Sequence, residues 1–216
     1  MLEYGIVRKG VMFLYIREFV RFWKYNTHPI KMEARARKVV LFGANKALEF
    51  FNDKKFRLLS HFEQKDEEER NRIFNELTLT NIVLLMLLLE QMVLEIDDDE
   101  HKNYIRTLRK EIPVYFSGFI RRIKIPERYA NLWDKLIEKR YNEYQKAILE
   151  MRGEFLQQDN RNLQTYALDK TIMIFQAIAF GLYEHLVRGK IREADSLYKY
   201  LQPYLLAVYK GFQKRI

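Results

Sequence analysis

The chain has 216 residues, 48% of them hydrophobic and 31% charged, with 8 Gly, 4 Pro and no Cys. That balance fits a folded chain rather than a disordered one, and so few Gly and Pro cannot punctuate many short strands. The missing cysteine excludes disulfides, thiolate metal sites and cysteine nucleophiles, while a net charge of +9 directs attention to anionic partners.

In the opening stretch MLEYGIVRKGVMFLYIREFVRFWKY the apolar run 11–16 is broken by Arg17 and Glu18, and no small-residue cleavage site follows. A secretory signal needs a longer uninterrupted run, so a cytoplasmic chain is expected. Met12, Ile16, Phe19 and Trp23 recur at helical spacing, with Arg17, Arg21 and Lys24 repeating on another face. Asn26-Thr27-His28-Pro29 is a turn with a new capping residue and an early Pro, which ends this first helix. A second helix over about 30–52 carries Lys31, Arg35 and Lys38 along one side and Val39, Phe42 and Leu48 on its apolar side.

Residues 52–65 read as a connection containing one helical turn. Asp66 then caps a strong helix start, with three Glu where the helix dipole favours negative charge and Glu69 at capping-box spacing. This helix contains NIVLLMLLLEQ, apolar on every face from Ile82 to Leu89. A membrane span needs about 20 apolar residues. The run is bounded by Asn81 and by Glu90-Gln91, so a core helix covered on all sides is expected, and no membrane span.

The acidic cluster 97–100 stops that helix and caps the next, over about 98–124. Pro113 inside it is expected to bend or end the helix, because a proline removes a backbone donor and clashes with the preceding turn. A fifth helix over about 126–152 has Tyr129, Trp133, Leu136, Arg140, Tyr144, Ala147 and Met151 at heptad-like spacing. Residues 153–162, GEFLQQDNRN, are the most linker-like segment. Then comes a second largely buried helix over about 163–188, interrupted only by a polar stripe of Thr165, Asp169 and Gln176. Its Ala177, Ala179 and Gly181 permit close approach of a neighbour. Gly189 stops it, a short helix follows, and Pro203 precedes a last helix to about Lys214.

Catalytic patterns are scarce. The four His lie outside any Glu-x-x-His, so a di-iron carboxylate bundle does not fit. Asp98 and His101 have a ligand-like separation but sit at a helix start, which favours capping. Asp97-x-Asp99 lacks the glycine of a calcium loop, having Lys102 there. No Gly-rich phosphate loop, Gly-x-Ser-x-Gly or His-Glu-x-x-His occurs. Glu90 and His185 each lie on a helix read as buried and form a candidate buried polar pair. No catalytic residue, cofactor or metal ligand is assigned.

Charge alternates along the chain: basic to residue 65, acidic over 66–100, basic again over 101–152. The plain explanation is balance between neighbouring helices, with 66–69 or 97–100 covering the basic stripes. The alternative is a basic face for an anionic partner, made of Arg17, Arg21, Lys24, Lys31, Arg35, Lys38, Arg121, Arg122 and Lys124. Neighbouring aromatics such as Trp23 and Phe116 could stack on bases, although core packing already explains their spacing.

The expectation is an all-α fold, a single-domain bundle of seven or eight helices over 1–216 with two largely buried central helices. An internal boundary fits only near 153–162. Its leading function is a non-catalytic helical interaction or scaffold protein that binds another protein, and a homo-oligomer is compatible with it. A nucleic-acid-binding accessory protein using the basic helices is the alternative. A helical-bundle enzyme or ligand carrier, with a pocket beside Glu90 and His185, ranks third.

Overall fold

A computed structural model describes residues 32–122, 127–158, 163–188 and 195–214. Among them are seven α-helices and no strand: α1 Met32–Phe51, α2 Lys54–Leu59, α3 Glu67–Glu95, α4 Asp99–Arg122, α5 Glu127–Gln158, α6 Leu163–Val187 and α7 Ser196–Gln213. A 3-10 turn, Phe62–Gln64, joins α2 to α3. The sequence-predicted first helix, with Arg17, Arg21 and Lys24, lies outside the described residues, as do Lys31, Lys124 and Gly189.

Aspartates set the helix starts. The Asp53 carboxylate accepts from Phe56 N at 2.7 Å, Asp66 from Glu69 N at 2.8 Å, and Asp98 from His101 N at 2.6 Å. Asp195 accepts from Leu197 N at 2.8 Å. Each satisfies at least one backbone donor that the first turn leaves without an intrahelical acceptor. Asp98 and His101 are therefore a cap, as their place in the sequence suggested.

Helix α3 is the axis of the bundle. Every side chain from Leu77 to Leu89 is buried, because α1, α4, α5, α6 and α7 all pack against it. By length and composition α3 could cross a membrane, but here protein encloses its apolar middle. Two of its buried polar side chains bond within the bundle: Thr78 Oγ1 donates to Phe74 O at 3.0 Å, and Asn81 Nδ2 to Gly43 O of α1 at 2.9 Å and to Tyr204 Oη of α7 at 2.5 Å. The α1 crossing depends on Gly43, where an added Cβ would lie 3.1 Å from Leu85 Cδ1.

Helix α6 is the second central helix. Ile174, Ile178, Leu182 and Leu186 are buried with Phe175, Ala179 and Tyr183. Gly181 allows the close approach expected of it: the Tyr144 ring of α5 occupies the space of its missing Cβ, 2.5 Å from Cε1. Tyr144 is fully buried and tied by its hydroxyl to Thr80 Oγ1 at 2.9 Å, so it cannot give way. Gly181→Ala is expected to cost about 1–3 kcal/mol through overpacking. At Gly118 of α4 nothing lies within 4 Å of an added Cβ. Gly118→Ala should instead stabilise by about 0.4–1 kcal/mol, through lost freedom of the unfolded chain. Urea midpoints of the two variants moving in opposite directions check both statements.

Three expectations are corrected. Pro113 does not end α4, which is one helix from Asp99 to Arg122. Likewise Pro203 lies inside α7, a single helix and not two. The cost of a helix-interior proline, about 3 kcal/mol, is outweighed in each case by an apolar face held on both sides of it. In α4 that face is Ile105, Leu108, Ile112, Tyr115, Phe116 and Ile120; in α7 it is Leu197, Leu201, Leu205, Val208 and Phe212. Third, α5 continues through Gly153 to Gln158. Most of the linker-like stretch is thus helix, and 159–162 lie outside the described residues.

Candidate functional site

The inward face of α5 presents Trp133, Ile137, Arg140 and Tyr144, all buried. An arginine in such a row must meet a carboxylate, because a lone buried charge is too costly to keep. Glu76 of α3 supplies it. Arg140 Nε donates to Glu76 Oε2 at 2.9 Å and Nη2 to Oε1 at 2.7 Å, a two-bond fork, while Nη1 donates to Glu143 Oε2 at 2.8 Å. Burial alone would favour loss of the Arg140 proton, but the bonds and charge of Glu76, with Glu143, more than offset it and raise the guanidinium pKa. Burial also raises the pKa of the Tyr144 hydroxyl well above its ordinary value.

His185 of α6 joins this network. Its Nε2 lies 3.3 Å from Glu143 Oε2, and burial together with the nearby Arg140 charge holds the imidazole below its ordinary pKa. The end of α6 is fastened from α3, where Arg72 donates to the carbonyl oxygens of His185 and Leu186. Glu69 grips Arg72 through both carboxylate oxygens, and that contact holds the Glu69 carboxyl below its usual range. Arg188, in the left-handed conformation at φ 55°, lies 3.2 Å from Glu69 Oε2. Chemically this junction is a register lock for three helices. The Arg140 fork and its third bond are spent on Glu76 and Glu143, and the orphan carbonyls of α6 on Arg72.

Glu90 belongs to a different network. The Tyr141 hydroxyl donates to it at 2.5 Å, and Arg109 Nε lies 2.8 Å away, with the Arg109 guanidinium 4.6 Å above the Tyr141 ring. Burial, then Glu90 itself, pushes the Tyr141 pKa up to about 12. Glu90 and His185, paired on sequence grounds, make no hydrogen bond or ion pair with each other. Helical rise places Glu76, beside the His185 network, about 21 Å along α3 from Glu90. Among the described residues no group of three or more His, Asp and Glu is placed to hold a metal ion.

Of the basic candidates, Arg35 and Lys38 lie on α1, Lys38 exposed and Arg35 partly buried, while Arg121 and Arg122 end α4. Arg121 bonds Glu127 at 3.0 Å and Asp134 at 3.1 Å. Arg122 lies 3.8 Å from Glu33 and over the Tyr115 ring. The acidic segments expected to cover these residues do other work: Glu69 holds Arg72 and Arg188, and Asp99 lies 3.7 Å from Lys102.

Sequence reasoning named Arg140 as part of a packing face but missed its pairing with Glu76. The signal was present, a charge in an inward heptad row. Choosing its acceptor required knowing which turn of α3 faces α5. Comparison with protein-family models, curated proteins and solved structures returns no significant match.

Proposed function

We propose that this is a non-catalytic helical interaction protein that binds another protein through the outward face of α6. One observation carries the reading. Ile172, Phe180 and Val187 are 44%, 40% and 46% exposed, and Gln176 between them is exposed as well. At 100° per residue Ile172, Gln176 and Phe180 fall on one exposed face running about 12 Å along the helix, with Val187 beyond the buried Tyr183. Other exposed large apolar side chains, such as Leu58, Leu94 and Val114, are one or two to a helix and need no special account. A ridge of this length and spacing suits the groove of one amphipathic helix from the bound protein. The buried charged groups support the same reading, since they are engaged with one another between helices. So do Arg121 and Arg122, whose carboxylate contacts lower their value to a nucleic acid.

The test is recovery of bound proteins from native lysate after nuclease treatment, comparing the wild type with Ile172→Asp/Phe180→Asp. Both side chains are partly exposed, at 44% and 40%, and the unfolding free energy of the variant is measured alongside so that loss of binding is read only from folded protein. A protein retained by the wild type through nuclease and lost by the variant supports the proposal. Identical recovery by both, or loss of all bound protein on nuclease treatment, overturns it, and the second outcome favours the nucleic-acid alternative.

A further inference from the structure

We propose that His185 makes the last turn of α6 proton-sensitive, so that in mild acid this turn loosens from α3 and α5 while the rest of the bundle stays folded. The turn is held from two sides. Arg72 binds its carbonyl oxygens. On the other side the His185 ring approaches Glu143 Oε2, the same oxygen that accepts from Arg140 Nη1.

The groups around the ring can be named from every neighbouring helix. From α3 come Glu69, Arg72 and Glu76. From α5 come Arg140, Glu143, the Tyr144 ring at 6.4 Å between centroids, and Lys139, whose Nζ is 3.8 Å from Glu143 Oε1. On α6 itself Glu184 and Arg188 flank His185. Toward α7, Asp195 accepts from Tyr183 at 2.6 Å on a different face of α6. Glu69, Glu76 and Glu143 thus meet four cations, Arg72, Lys139, Arg140 and Arg188, with Glu184 beside His185 in sequence, so the junction holds no surplus negative charge for a protonated imidazole. A proton on His185 adds an uncompensated positive charge at a half-buried position and sets it in competition with Arg140 for one oxygen.

The direction follows from linkage. Closure disfavours the charged ring, so the opened turn binds the proton more tightly. The contribution of His185 to closure is complete above the ordinary histidine value of about 6.5, and it declines as pH falls below that toward the lower value in the fold.

Hydrogen–deuterium exchange on the full chain between about pH 7 and pH 5, where histidine changes charge, tests this once rates are corrected for intrinsic chemistry. Protection over 183–188 should fall severalfold in the wild type while protection over 82–89 is unchanged, and His185→Gln should abolish the fall. The same fall in His185→Gln, or simultaneous loss over 82–89, overturns the proposal. Should the variant not fold, the imidazole resonances of the wild type decide: a midpoint below the ordinary histidine value is expected, and one at or above it overturns the proposal.

Discussion

Arg140→Ala should destabilise the bundle by about 3–5 kcal/mol, the range for removing one member of a buried ion pair. The Arg140 side chain is 8% exposed and that of Glu76 is 11%, so solvent screens neither charge appreciably. With Arg140 gone, Glu76 is left buried without its fork, and Glu143 loses its shortest contact. Most of the loss is therefore the cost of a stranded carboxylate, and replacing both members should recover much of it. Glu76→Leu/Arg140→Met is expected to be close to neutral, as apolar replacements of buried pairs often are. A double-mutant cycle from urea denaturation measures the coupling, expected at several kcal/mol. A pair that contributed no more than a surface contact would show a single-variant loss below about 1 kcal/mol.

Leu85→Ala is the second large effect, at about 2–5 kcal/mol. Leu85 has no solvent exposure and sits where Gly43 brings α1 against α3, with α3 enclosed by five other helices. Helices packed on both sides of the site limit how far it can collapse around the missing atoms, so part of the cavity should persist. Leu94, on the same helix but 69% exposed, is the control. Its replacement by Ala should stay within about 0.5 kcal/mol. Equal effects at the two positions would show that the run Ile82–Leu89 is not the buried axis of the fold.

How much was legible beforehand depended on whether the cause was local. The start of α3 at Asp66 and the cap at Asp98 follow from neighbouring residues alone, and both are found. The enclosure of Ile82–Leu89 follows from composition on every face, and it too is found. Pro113 does not end α4 and Pro203 does not open a new helix, because a proline's local cost is fixed, while the apolar surface that outweighs it comes from other helices. Helix α6 was read as largely buried, with a thin polar stripe that includes Gln176. Ile172 and Phe180 continue that same face, and apolar character alone suggested they were buried. Arg140 was visible as a charge in an inward row, whereas its tie to Glu76 depends on how α5 crosses α3. Similarly, Glu90 and His185 looked like a pair only because each was placed in the core without knowledge of where along α3 its neighbours lie.

The most direct test of the claim that α6 presents the working surface is a photo-crosslinking residue placed at position 180 in cells, with one at Lys139 as an exposed control. The account predicts a nuclease-insensitive adduct to another protein from position 180 and none from position 139. Adducts of equal yield from both positions, adducts only to nucleic acid, or none from position 180 would contradict it.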